Sequence, residues 1–216
     1  MRDSLRAGAC LKRASLVFWD FDGVIKESLE VKSIAFERLF LPYGTDVAAR
    51  VRAHHEAHGG VSRFEKMPVY LEWAGESATQ DRVQEFCARF GDAVRQAVID
   101  APWVEGVEPY LRSNHARQCF VLVSATPQQE IEAIARALQL TTCFERIYGA
   151  PTSKADAIRK ELAARSQPLE SCVMVGDSDT DLSAASVNGI PFILRRTSHN
   201  RNLQARHGGA SFEILA

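Results

Sequence analysis

Short runs of Val, Ile, Leu and Phe recur at residues 15–19, 119–123, 171–175 and 191–194, with a weaker run at 146–148. Each is strand-length and apolar throughout rather than alternating, the pattern of a strand buried on both faces. Between them, apolar positions fall at helical spacing over 127–140, 154–165 and 179–188, the last closed by Gly189 and Pro191 in helix-stop positions. This alternation predicts an α/β fold with a parallel, doubly wound sheet.

One stretch interrupts the alternation. Residues 26–101 hold no convincing strand, only helical segments at 30–41, 46–58 and 77–99. In the last, Val83, Phe86, Cys87, Phe90, Val94 and Val98 form one apolar stripe, read as core. A helical insert directly after the first strand sits above the carboxyl ends of the strands, where open α/β sheets place their sites. It is placed to act as a lid. The expected organisation is a core of residues 15–25 and 102–216, an all-helical cap of 26–101, and a frayed leader of 1–14. That leader is mixed and basic (Arg2, Arg6, Lys12, Arg13), with no apolar stretch long enough for a signal peptide or a membrane span.

Composition narrows the partners. A chain of 216 residues, 46% of them hydrophobic, can bury a full core. Its 26 Lys and Arg balance 27 Asp and Glu, so there is no electrostatic footprint for nucleic acid or an anionic membrane. Small molecules are the expected partners, and nothing in the pattern separates a monomer from a homodimer. The five cysteines (Cys10, Cys87, Cys119, Cys143, Cys172) are odd in number and lack C-x-x-C spacing. They read as reduced packing residues of a cytoplasmic protein, not as a zinc site.

The candidate chemistry lies at strand ends. Asp20-Phe21-Asp22-Gly23-Val24 follows Leu16-Val17-Phe18-Trp19, placing two carboxylates at the end of a buried strand. Like charges this close raise each other's pKa unless a cation sits between them, so the pair points to a bound metal, a shared proton or phosphoryl transfer. For an isolated D-x-D, a solvated pair capping the next helix is the commoner explanation, and only partners elsewhere overturn it. The run 119–123 ends at Ser124; Thr126 and Gln129 form a capping box with Pro127 at the first helical position. That leaves the Ser124 hydroxyl beside helix amides, a natural anion site, although alone it fits a structural role. Lys154, after Ser153, faces the positive end of a helix dipole, which an anion would compensate; alone, a solvated surface lysine explains it. In Gly176-Asp177-Ser178-Asp179-Thr180-Asp181, Ser178 with Asp181 resembles a cap. Asp177 is the acid that capping explains least, and it is the candidate second metal carboxylate beside Asp20. Magnesium suits so short a ligand set, because it fills its octahedron with water and substrate oxygens.

D-x-D-G-V, then S-A-T, then a lysine at a helix start, then G-D-S-x-x-D, each at a predicted strand end, together resemble the motif set of the haloacid dehalogenase-like hydrolase superfamily. The resemblance spans about residues 15–195 and extends to Ala184-Ala185 and Asn188-Gly189-Ile190-Pro191. It implies a Rossmann-like core with an inserted helical cap. It also implies that Asp20 is a nucleophile forming an aspartyl-phosphate and that Asp22 protonates the leaving oxygen and then activates water. By the same resemblance magnesium is held by Asp20, the Asp22 main-chain carbonyl and Asp177. Ser124 and Lys154 hold phosphoryl oxygens, and Asp181 orients Lys154 or a metal-bound water.

Asp22 argues against the dehalogenases and phosphonate-cleaving members of that superfamily, which replace it. The helical insert resembles the cap class acting mostly on small phosphorylated molecules. Gly59-Gly60-Val61-Ser62-Arg63 resembles the cap segment of β-phosphoglucomutase in which an arginine grips a distal phosphate. Arg63 either anchors a second phosphate or carboxylate, or is a surface residue capping an adjacent helix. The mutases carry a histidine where this chain has Lys32, which favours a magnesium-dependent phosphatase of a phosphoglycolate- or sugar-phosphate-like metabolite over a mutase, the runner-up. A non-catalytic binding protein would be marked by loss of Asp20, Asp22, Lys154 or Asp177, and all are present. Two features are discounted. His54 and His58 lack the H-E-x-x-H arrangement, and the basic stretch 195–201 reads as an exposed tail.

Overall fold

The structure, a computed structural model, describes residues 2–215, with side chains from residue 6 onward. Residues 1 and 216, which fall in the expected leader and core, lie outside the described residues. The chain opens with helix α1 (Arg2–Arg13) and strand β1 (Leu16–Trp19). Four helices follow: α2 (Leu29–Phe40), α3 (Thr45–Ala57), α4 (Arg63–Trp73) and α5 (Gln80–Asp100). Then α6 (Val107–Asn114) leads into β2 (Cys119–Pro127), α7 (Gln128–Ala137), β3 (Arg146–Ala150), α8 (Lys154–Ala164) and β4 (Cys172–Gly176). The chain finishes with α9 (Asp179–Val187), β5 (Phe192–Arg195), α10 (Arg201–Arg206) and β6 (Ser211–Phe212).

The six strands form one parallel sheet in the order β3-β2-β1-β4-β5-β6. The connections run outward one way from β1 and then the other way from β4, so the gap between those two strands is a topological switch point, where such sheets bind ligands. β1 is buried along its whole length. Val17 and Trp19 join one core cluster, while Leu16 and Phe18 join another on the opposite face with Val121, Met174 and Ile158. Burial on both faces is why the strand is continuously apolar.

Two sequence expectations need correction. The leader is not frayed: α1 buries Ala7 and Leu11 completely, one helical turn apart. Its last turn is held by the Gln118 side-chain amide donating to the carbonyls of Leu11 and Ala14. The capping box at Thr126 does not form. β2 continues to Pro127 with a register irregularity against β3 after Val123, a bulge that re-aims side chains. Pro127 itself occupies the N-cap of α7 without a side-chain cap bond.

Residues 29–100 are helical apart from their connections. The insert has its own aromatic centre: Phe36 stacks on Phe90 with ring centroids 3.8 Å apart, and Tyr70 meets Phe36 and Phe40 edge-on. Phe86, Cys87, Phe90, Val94 and Val98 are buried along α5. Helix α4 is absent from the sequence expectations because Pro68 lies inside it, where the ring normally interrupts a helix. No helix among the described residues is long and apolar enough to cross a membrane.

Candidate active site

A cavity of about 450 Å³ opens where the carboxyl ends of β1 and β4 face the helical insert. Its floor comes from strand ends and helix starts: Asp20 and Asp22 after β1, Ala125 and Thr126 on β2, Lys154 at the start of α8, and Asp177 after β4. Its wall comes from the insert: Lys32 and Phe36 on α2, His55 on α3, Arg63 and Lys66 on α4, and Phe90 on α5.

The Lys154 ammonium joins two carboxylates, 2.8 Å from Asp20 Oδ2 and 2.6 Å from Asp181 Oδ1. Burial pushes this lysine down, but Asp181 and Asp20 outweigh it and hold the ammonium above its ordinary range. Asp181 is fully buried, and its other oxygen accepts from the Ser178 hydroxyl at 2.5 Å and the Ser178 and Asp177 amides. The Ser178–Asp181 capping box therefore also aims Lys154. Asp20 Oδ1 accepts from the Phe21 amide at 2.8 Å.

Asp22 is held separately. Its carboxylate accepts from the Ser28 hydroxyl at 2.6 Å, from Lys32 Nζ at 2.5 Å and, at the edge of bonding distance, from Thr126 at 3.4 Å. Lys32 also donates to the Thr126 hydroxyl at 3.0 Å. Burial pushes the Asp22 carboxyl up, but the Lys32 ammonium and the Ser28 hydroxyl prevail and hold it below the usual carboxylate range.

Asp177 is the contrast. Its main chain is engaged, the carbonyl accepting from Asn200 Nδ2 at 2.7 Å, yet its buried carboxylate has no hydrogen-bond donor among the described residues. Burial and the neighbouring Asp20 and Asp181 push Asp177 well up. Burial and Asp181 push Asp20 up as well, with Lys154 offsetting only part. Oxygens of Asp20, Asp177 and Asp181 lie within 4.8 Å of one another. A hard divalent cation fits this donor set: it would meet the unpartnered Asp177 oxygens and relieve the repulsion that raises both acids. Gly23, at φ +72°, makes room for the cluster, since a Cβ there would lie 2.4 Å from Asp177 Oδ2.

Of the residues singled out in the sequence, Asp20, Asp22, Lys154, Asp177 and Arg63 line the cavity, and Asp181 lies behind Lys154. Ser124 is buried within β2, directly after Val123, and its Oγ accepts from the Thr126 amide at 3.1 Å; Ala125 and Thr126, not Ser124, form the lining there. Arg63 is buried, and its guanidinium grips Glu130 of α7 at 2.7 and 3.0 Å and donates to the Cys87 carbonyl. It straps the insert to the sheet domain.

Other lining residues went unnoticed. Thr126, which the local sequence marks as a cap, instead lies on the bulged end of β2 and faces the cavity. Lys66 lies with Arg63 on the buried stripe of α4 (Arg63, Lys66, Met67, Tyr70, Leu71), and two cations on such a stripe were the available signal. The discounted stretch 195–201 contributes His199 and Asn200 to the lining. His54 and His58 stack on each other and belong to no metal-binding cluster among the described residues.

Comparison with known proteins decides the family. The family model described as haloacid dehalogenase-like hydrolase matches residues 17–186. The chain belongs to the haloacid dehalogenase-like hydrolase family. This hydrolase is similar in fold to a predicted phosphoglycolate phosphatase from Haemophilus somnus, with a TM-score of 0.73, 16% identity, and 94% of this chain and 96% of that one covered. CbbY from Rhodobacter sphaeroides, determined as a mutant in complex with xylulose 1,5-bisphosphate, gives 0.73, 17%, 94% and 95%. A β-phosphoglucomutase from Clostridium difficile gives 0.72, 16%, 94% and 92%. No curated protein matches the chain at a significant level of sequence similarity.

Proposed function

We propose that this hydrolase is a magnesium-dependent phosphatase of a small phosphorylated metabolite, acting through an aspartyl-phosphate on Asp20. The observation that carries the reading is the convergence of Asp20, Asp22, Lys154 and Asp177 from separate elements on one cavity floor. Magnesium held by Asp20, the Asp22 main-chain carbonyl and Asp177 would supply positive charge between nucleophile and phosphate. Lys154, fixed by Asp181, holds a phosphoryl oxygen and turns the Asp20 carboxylate toward phosphorus. The approaching phosphate dianion raises the Asp22 carboxyl against the hold of Lys32, so that Asp22 takes up a proton from solvent; an Asp20 oxygen attacks phosphorus, the bond to the leaving oxygen breaks, and Asp22 gives that oxygen its proton. Asp22, now a carboxylate of the kind Lys32 favours, takes a proton from water. The water oxygen attacks the phosphoaspartate, releasing phosphate and the Asp20 carboxylate.

Residues 26–101 act as the cap. Gly60, at φ +80°, sits so close to the start of α9 that a Cβ would lie 2.1 Å from Thr180 Oγ1. A lid pressed this tightly on the floor excludes bulk water during transfer. Lys32, bound to both Asp22 and Thr126, supports hydrolysis over phosphosugar mutation, and Arg63 is committed to Glu130 instead of a distal phosphate.

Phosphate release from a panel of small phosphoesters, with magnesium or with EDTA, tests the reading on wild type and Asp20→Asn. Release that needs both the metal and Asp20 supports it. Conversion of β-glucose 1-phosphate to glucose 6-phosphate would replace it with the mutase reading.

A further inference from the structure

We infer that the insert wall of the cavity carries a second anion subsite centred on Lys66, so that the substrate is a phosphomonoester bearing another anionic group, a carboxylate or a second phosphoryl group. The inference rests on the phosphatase reading for the first group and on the charges of the wall for the second.

Every other lysine or arginine lining the cavity has a carboxylate partner. Lys32 pairs with Asp22, Arg63 with Glu130, and Lys154 with Asp20 and Asp181. Lys66 has none among the described residues. Only 3% exposed, it donates to two neutral acceptors, His55 Nδ1 at 2.9 Å and the His58 carbonyl at 3.3 Å. An ammonium has three donors, so one remains unaddressed in a group that lines the cavity. The Phe36 ring lies 5.6 Å from Nζ.

A buried ammonium without a paired carboxylate is costly to a fold. Burial, aggravated by Lys32 and Arg63 and only partly offset by the more distant Asp22 and Glu65, pushes Lys66 down to about 7. Its acceptor His55 is itself pushed well below the ordinary histidine range by burial and by Lys66, so that ring is a neutral acceptor and not a counter-ion. Nothing in the packing of α4 demands a cation here, since Met67, Tyr70 and Leu71 fill the same stripe with apolar bulk. An anion delivered by the substrate completes the third bond and restores full charge to the ammonium. The floor holds the phosphoryl group to be transferred, and the wall recognises what else the molecule carries.

Matched probes test this: phosphoglycolate against ethyl phosphate for a carboxylate, and fructose 1,6-bisphosphate against fructose 1-phosphate for a second phosphoryl group. Calorimetric binding to Asp20→Asn protein is measured beside turnover by the otherwise wild-type enzyme. The preference for the doubly anionic member of at least one pair should be roughly 10- to 100-fold, the worth of one charge-assisted hydrogen bond. It should collapse in Lys66→Met and return substantially in Lys66→Arg. The pair that shows it identifies the anion. A wild type without preference in either pair, or one undiminished in Lys66→Met, overturns the subsite. If Lys66→Met fails to fold, Lys66→Gln gives the same readout. Absence of turnover with every compound would refute the phosphatase reading, while the binding preference would still decide the subsite.

Discussion

The floor and the wall of the cavity are built on different principles. On the floor, an excess of carboxylates meets too few cations: Lys154 serves Asp20 and Asp181, while the Asp177 carboxylate has no partner among the described residues. On the wall, cations predominate and one of them, Lys66, lacks a carboxylate partner among the described residues. Each surface is incomplete in the sense its ligand would correct, a metal for the floor and an anion for the wall. The floor is fixed by strand ends and first helical turns and so suits chemistry that cannot shift. The wall is spread over helices α2 to α5, where one substitution changes recognition without touching the reacting atoms.

The comparison breaks most completely at Asp20. Asp20→Asn should cut phosphate release by roughly 10⁴-fold or more, since the nucleophile of a covalent mechanism has no substitute. Asp177→Asn should cost less, roughly 10²- to 10³-fold at limiting magnesium, with the loss partly recovered as the metal is raised. Glu130→Gln leaves the buried Arg63 without its charge partner and should destabilise the protein by about 3 kcal/mol, read from denaturant midpoints. Gly60→Ala forces a left-handed residue and a close approach to Thr180. It should cost roughly 1 kcal/mol in stability and lower kcat by loosening the contact between insert and floor.

The smallest effect sharpens the contrast through pH. Asp20 and Asp177 are raised in the folded protein, so without metal the folded state holds more protons than the unfolded chain above the ordinary carboxylate range. Stability from this source falls as pH rises from about 4 through about 7, and magnesium should cancel that slope. Lys66, lowered to about 7, acts oppositely: the unfolded chain binds the extra proton, and stability rises with pH above about 7. Lys66→Met should flatten the upper slope and raise the melting temperature at neutral pH.

The floor was legible in the sequence because its residues follow directly on buried strands, and strands covered on both faces announce themselves as unbroken apolar runs. Asp20, Asp22, Lys154 and Asp177 could be placed by counting from those runs. Thr126 is not legible as a lining residue because its local neighbours Pro127 and Gln129 mimic a cap, whereas the bulge in β2 depends on pairing with β3, a contact distant in sequence. The wall was far less legible. Helix α4 hides behind Pro68, and its two inward cations resemble an exposed face until Glu130 and the cavity are seen on the other side. α1 reads as a loose leader in the sequence because, among its described side chains, Ala7 and Leu11 alone are fully buried, too short a stripe to stand out from the basic residues around it. β6, only Ser211 and Phe212, has no pattern of its own and exists by pairing with β5.

Acid-quenched mass spectrometry of the enzyme during turnover, with peptide mapping, tests the central claim that Asp20 is the phosphoryl acceptor. The account predicts a phosphoryl group on the peptide containing Asp20 in wild type, accumulating with magnesium and a turned-over phosphoester, and none in Asp20→Asn. Full-rate phosphate release without a phosphorylated Asp20, or undiminished release by Asp20→Asn, would contradict it.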